Sequence, residues 1–180
     1  MDSGENSYRR YLNGDEDAFG EVVELYFDNL TYFINGYVHD VHASEDLAVD
    51  ALTELVTHPH RFAFRSSLRT WLYSVARNMA LNYVSKRSRE IPTPLSEADA
   101  ADVRSLENDV LAGERQRLIA RTIAELDEEL RTAVHLVYIE GMSYSEAAKV
   151  LKKNEKQLGY LLSKAKTLLR GRIGREDVDL

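Results

Sequence analysis

The prolines set the plan of this chain. Only three occur in 180 residues, Pro59, Pro92 and Pro94, and each falls at a break in an otherwise helical pattern. Proline removes a backbone donor and disfavours helical backbone in the residue before it, so Ile91-Pro92-Thr93-Pro94 cannot continue a helix. The Ser-Glu-Ala-Asp-Ala-Ala-Asp stretch close behind it is small and acidic. These features predict an all-α fold of two small helical domains, residues 1–89 and 105–180, joined by a flexible acidic linker over residues 90–104. No strand signal and no internal repeat stands out.

Hydrophobic periodicity fills in the helices. Asp15 is a candidate cap for a helix reaching about Val38, with Phe19, Val22, Val23, Tyr26, Leu30 and Phe33 at helical spacing. Ser44 is a candidate cap for a second, which turns Leu47, Ala51, Leu52 and Leu55 inward and ends at His58-Pro59-His60. A loop over residues 60–66 carries Arg61, Phe62, Phe64 and Arg65. Ser66 or Ser67 caps a third helix through about Ser88, where Trp71 reads as a core residue. The second half predicts helices over about 105–126 and 127–140, with Gly141 just past the end of the latter.

Ser143-Tyr144-Ser145-Glu146 then has the form of a capping box, opening a short helix with Ala147, Ala148 and Leu151 inward. Lys152-Lys153-Asn154 makes a tight turn, and Asn154 with Gln157 caps the last helix, whose stripe is Leu158, Leu162, Ala165 and Leu169. A short helix, a three-residue turn and a longer basic helix are the elements of a helix-turn-helix, the C-terminal domain of this reading. Its outward residues are Ser143, Lys153, Lys156, Gln157, Tyr160, Ser163, Lys164 and Lys166.

The formal net charge is −7, which taken alone argues against a nucleic-acid partner. The distribution argues for one. Residues 1–60 hold 13 acids against Arg9 and Arg10. Residues 61–89 hold Arg61, Arg65, Arg69, Arg77, Lys86, Arg87 and Arg89 with no acid at all. An acidic block over 90–114 follows, then nine bases against Glu155 in residues 149–175. Two separate basic patches suggest two contacts with a polyanion, and the acidic N-terminal block suggests a different partner. Cationic grooves interleaved with aromatics hold single strands by stacking, and residues 61–65 have that composition, although Phe62 and Phe64 could equally be packed inside.

Arg61-Phe62 and the run from Ser66 through Thr70-Trp71-Leu72-Tyr73 to Ala76-Arg77-Asn78 resemble the promoter-melting segment of the extracytoplasmic-function sigma factors. The acidic stretch Glu45-Asp46-Leu47-Ala48-Val49-Asp50 looks like the helix that precedes that segment, and Leu126 through Gly141-Met142-Ser143-Tyr144 to Arg170 looks like the family's second domain. The resemblance covers about residues 8–172. It implies a factor that carries core RNA polymerase to a promoter and acts by binding, with no chemistry and no cofactor of its own. It also implies that Asp46, Asp50 and Glu54 face the polymerase, at the clamp of the beta-prime subunit. Arg61, Phe62, Phe64, Arg65, Arg69, Arg77, Asn78, Lys86, Arg87 and Arg89 would take the melted minus-10 strand, with Asn78 reading a flipped base. The outward face of the last helix would take the minus-35 element as duplex, and an anti-sigma factor is an implied partner.

Four positions of the second domain depart from the family pattern. Lys152 stands where the turn usually has glycine, and Gly159-Tyr160-Leu161 stand where the recognition helix usually reads Lys, Ser, Arg. Leu161 with Leu168 is expected to widen the apolar face, which leaves open a weakened minus-35 contact, a regulator bound there, or a mimic that reads no DNA. A helix-turn-helix regulator or such a mimic would need neither the basic aromatic loop nor Asn78.

An enzyme is the other alternative, and the motifs speak against it: there is no glycine-rich phosphate loop, no His-Glu-x-x-His and no nucleophile motif. His39 with His42, and His58 with His60, lack a carboxylate that completes a metal-ligand set. The absence of cysteine excludes disulfides and thiolate metal sites. Met1 to Asn6 is polar and acidic, unlike a signal peptide, and no apolar run nears the about 18 residues of a membrane span, so a cytoplasmic location is expected.

Overall fold

Helix α1, Ser3–Leu12, is an element that the sequence reading did not anticipate, and it is tied firmly to the rest. The computed structural model describes residues 3–90 and 114–173, which fall into two compact units, residues 1–94 and 95–180. Tyr8 of α1 is fully buried, and its hydroxyl donates to the Leu55 carbonyl at 2.8 Å. Burial, with a smaller effect from Tyr11, raises its pKa above the usual phenol value. Gly4 lies where any Cβ would run into the Tyr26 ring, so the first turn sits flat on its neighbour. Around the edge, the Ser7 hydroxyl donates to Glu21 at 2.6 Å, and Arg10 reaches both Glu21 at 2.9 Å and Asp15 at 2.6 Å. The Ser7 hydroxyl, then Arg10, hold the Glu21 carboxyl below the ordinary carboxylate range.

Helix α2, Ala18–Val38, buries Val22, Tyr26, Leu30, Phe33, Ile34 and Tyr37, one continuous stripe at spacings of three and four. Asp15 does not cap it. Asp17 occupies the cap position with helical backbone and no side-chain bond, because Asp15 is engaged by Arg10. The helix stops at His39, whose backbone is left-handed, φ 54°. Helix α3, Val41–Thr57, is capped by Asp40, which accepts from the Ala43 N–H at 3.1 Å. The expected cap, Ser44, is buried one turn inside, and its hydroxyl donates to the Asp40 carbonyl at 2.7 Å.

Pro59–Arg61 forms a single 3-10 turn. Helix α4, Leu68–Glu90, starts at Ser67, whose hydroxyl accepts from the Thr70 N–H at 3.2 Å. It buries Leu68, Leu72, Ala76 and Ala80 at four-residue steps. Past Ala80 no described residue of α4 is buried, so its cationic last two turns stand clear of this core.

The expected linker, apart from Glu90, lies outside the described residues, as does the beginning of the helix expected from residue 105. In the second unit, α5 spans Glu114–Ala124 and α6 spans Glu128–Val134. The α-helix expected to reach Glu140 instead loosens into one π turn, His135–Ile139. The Glu140 N–H bonds back five residues to His135 and the Met142 N–H six residues to Leu136, each at 3.0 Å. His135 Nε2 faces Glu140 Oε1 at 3.2 Å, with both side chains buried. Gly141, at φ 62°, lets the chain turn there.

Helix α7, Tyr144–Leu151, opens with a complete capping box: the Glu146 N–H donates to the Ser143 hydroxyl, and the Ser143 N–H donates to the Glu146 carboxylate at 3.0 Å. Helix α8, Glu155–Ile173, opens on a second reciprocal pair, Asn154 with Gln157, both bonds 2.9 Å. Leu130, Val134, Leu136, Met142, Ala147, Leu151, Leu158, Leu162, Ala165 and Leu169 make the core.

Candidate nucleic-acid interface

The first candidate surface gathers around the 3-10 turn and the start of α4. Arg61 and Arg65 are exposed. Phe62 and Phe64, alike in the sequence, have separate fates. Phe62 is only 3% exposed, wedged between Tyr8, Phe64 and Trp71 at centroid distances of 5.9, 4.5 and 5.7 Å. It is therefore a core residue and offers no open stacking face, which corrects its place among the strand-binding candidates. Phe64 is half-buried with left-handed backbone, φ 54°, and the Arg9 guanidinium lies 4.0 Å over its ring. Trp71 is half-buried against Phe62 and mainly packs.

Along α4, Arg69, Arg77 and Asn78 are half-buried. Seven residues are nearly two full helical turns, so Asn78 shares a face with Trp71, two turns further along α4. The Arg77 Nε is buried and makes no hydrogen bond within the protein. Lys86 and Arg89 are exposed at the far end, where Arg89 reaches the Ser85 hydroxyl at 2.8 Å. Arg87 approaches Asp40 at 3.7 Å. Cations therefore recur from Arg61 to Arg89, on several sides of α4, beside the one half-buried loop phenylalanine.

The acidic face adjoins this surface. Asp46 and Asp50 are exposed on α3 together with Val49, which is 50% exposed, and Val56. Together they make an apolar and acidic stripe on the exposed side of α3. Glu54, grouped with the two aspartates in the sequence reading, stands apart. Its side chain is only 21% exposed and is paired with Arg61 and, at 3.4 Å, with His58. The acidic helix and the basic loop meet at this pair, a link that residues seven apart across a proline break do not reveal in the sequence.

The second candidate surface is the outer side of α8. Lys156, Tyr160, Ser163 and Lys164 follow at i, i+4, i+7 and i+8, one face of a helix, and all are exposed, Tyr160 at 69%. Gln157 is exposed too, but its side-chain oxygen caps its own helix. Lys153, in the turn, is tied to Glu129 at 2.9 Å. Lys166 is half-buried on the flank, and Ser143 is occupied by the α7 cap. Leu161 widens the apolar face of α8 inward: it is 8% exposed and belongs to the core, so only Leu168, at 38%, stays open on that flank. Near α7, Tyr138, Ile139 and Tyr144 form a small exposed apolar group. Partial burial, and secondarily Tyr144, raise the Tyr138 pKa. Among the described residues no cluster of His, Asp and Glu could hold a metal ion, and no helix is long and apolar enough to cross a membrane.

Known proteins match both units. The family model for Sigma-70 region 2 matches residues 22–90, and that for Sigma-70, region 4 matches residues 116–169. The chain is 33% identical over 152 residues to the RNA polymerase sigma-H factor of Pseudomonas aeruginosa, covering 79% of each chain. It is 30% identical to the ECF RNA polymerase sigma-E factor of Haemophilus influenzae, over 79% of this chain and 80% of that one. Among solved structures, the sigma factor RpoE in complex with the anti-sigma factor NepR from Bartonella quintana matches with a TM-score of 0.68 at 20% identity, over 91% of this chain and 99% of that one. CnrH in complex with the cytosolic domain of CnrY matches at 0.66 and 21%, over 94% and 96%. Both structural matches speak to the fold, and the sequence matches reach further: this chain belongs to the extracytoplasmic-function sigma factors, which direct RNA polymerase to promoters.

Proposed function

We propose that the two units divide a promoter between them. The first takes the melted minus-10 strand along the cations from Arg61 to Arg89 and docks on the clamp of the beta-prime subunit through Asp46, Asp50 and the valines beside them. The second lays the outer face of α8 into the major groove of the minus-35 element. The observation that carries this reading is the separation of charge by surface: residues 61–89 contain seven bases and no acid, directly after an acid-rich helix. Phosphate contacts set affinity and polar side chains read bases, so Arg69, Arg77, Lys86, Arg87 and Arg89 hold the backbone and Asn78 reads an exposed base edge. An anti-sigma factor is a further partner on this reading, supported by the anti-sigma factor bound to RpoE.

Run-off transcription with the factor, core bacterial RNA polymerase and a genomic promoter library tests the division. Transcripts that depend on the factor and share two upstream elements are the expected result. Asn78→Ala is expected to impair opening of those promoters while polymerase binding stays near normal. If polymerase binding falls in step with opening, Asn78 is a structural residue and the minus-10 assignment fails.

A further inference from the structure

Phe64 holds a backbone conformation that phenylalanine seldom adopts. A left-handed φ strains any residue with a Cβ and persists only where the surroundings fix it. Here the ring is packed by Phe62 at 4.5 Å and Tyr8 at 6.2 Å, and the Arg9 guanidinium lies 4.0 Å over it. Arg9 is in turn held by Glu5 one helical turn back, at 2.9 Å. Phe62 is buried and Phe64 half-buried, so of the two loop phenylalanines Phe64 alone has ring surface left for a base, yet a guanidinium already lies over that ring.

We propose that Arg9 is a placeholder for a melted base: it covers the Phe64 face in the free protein and yields it to promoter DNA. The inference rests on the reading of residues 61–89 as the single-strand surface. A guanidinium is suited to both positions. It is planar, weakly hydrated and always charged, so it stacks well on a ring and binds phosphate equally well. Leaving Phe64, it keeps a partner in the DNA backbone, and the aromatic platform never stands bare to water. The exchange makes base capture conditional, because stacking has to displace a cation already in place. Helix α1 thereby becomes part of promoter recognition, although the Sigma-70 region 2 match begins beyond it, at residue 22.

The test uses polymerase holoenzyme assembled with this factor. Its probes are the single-stranded non-template minus-10 sequence recovered from the run-off transcripts and copies carrying one abasic site at each position in turn. Fluorescence anisotropy gives, for each position, the ratio of abasic to intact Kd, in which the general loss of one positive charge cancels. Arg9→Ala is expected to raise the largest ratio about two- to fivefold, the span that corresponds to an exposed cation over a ring. An unchanged ratio, with or without a uniform loss of affinity, overturns the proposal and leaves Arg9 as a phosphate contact or a packing residue. Phe64→Leu, which keeps the apolar bulk but removes the stacking face, is expected to bring that ratio close to one. A ratio that Phe64→Leu leaves intact shows that no base stacks there, which overturns the underlying reading and the placeholder together.

Discussion

Lys152 ends α7 with left-handed backbone, φ 55°, a conformation that favours glycine. A Cβ in that conformation costs about 1 kcal/mol. Lys152→Gly is therefore expected to stabilise the second unit by about that amount, read as a rise of several degrees in thermal unfolding; no rise would mean that Lys152 makes a compensating bond. Gly159 is the opposite case. It sits inside α8, where a new Cβ meets nothing within 4 Å, and Gly159→Ala is expected to add about 1 kcal/mol through helix propensity alone. The two loop phenylalanines divide likewise. Phe62→Ala empties a filled site and is expected to cost about 3–5 kcal/mol in chemical denaturation, whereas Phe64→Leu is expected to cost far less because its ring is only partly covered.

Helices α7 and α8 owe their ends to local pairs, Ser143 with Glu146 and Asn154 with Gln157. Ser143→Ala is expected to cost about 1 kcal/mol of stability in the same denaturation assay. Replacing Lys156 and Lys164 together with Ala removes two outward cations from α8. It is expected to weaken duplex binding and to lower the salt slope by about 2 while leaving thermal stability unchanged; an unchanged slope would place the duplex surface elsewhere. Signals of this kind, three residues apart, were legible in the sequence, and so were the turn between α7 and α8 and the inward stripe of α8. What escaped reading depends on contacts from afar. Helix α1 carries Tyr8, Tyr11 and Leu12 at helical spacing, a short signal beside an acidic start, and it is residues distant in sequence, among them Tyr26, Leu55 and Phe62, that give it a place to pack. Asp40 and Ser44 are both competent caps, and the choice falls to Asp40 because His39 breaks the backbone just before it and Ser44 is drawn into the core. Leu161 looked outward by comparison with relatives, but the α8 stripe is broad enough to bury it. Nothing local announces that Phe64 adopts positive φ while Phe62 turns in, nor that His135–Ile139 widens to a π turn.

Taken whole, the chain is an acidic protein with two basic surfaces, and its net charge of −7 repels the polymer it reads. The factor alone is expected to bind promoter duplex weakly, with core polymerase restoring tight binding, which titration of labelled promoter with and without core would show. Tight binding by the isolated factor would mean that its acidic face does not oppose the DNA. Asp46→Asn with Asp50→Asn is expected to weaken capture of core polymerase in a competition assay against wild-type factor, leaving unfolding temperature unchanged because both carboxylates are exposed. The two capping pairs around the helix-turn-helix have a longer reach. With the inner stripe they fix α8 from its start and its buried side, so the exposed Lys156, Tyr160, Ser163 and Lys164 stand outside what holds the fold. Gln157 is the exception, bound to the scaffold that it adorns. Over generations, duplicated copies of such a gene can exchange those four letters freely and acquire new vocabularies of target sites, each drifting without ever passing through an unfolded ancestor.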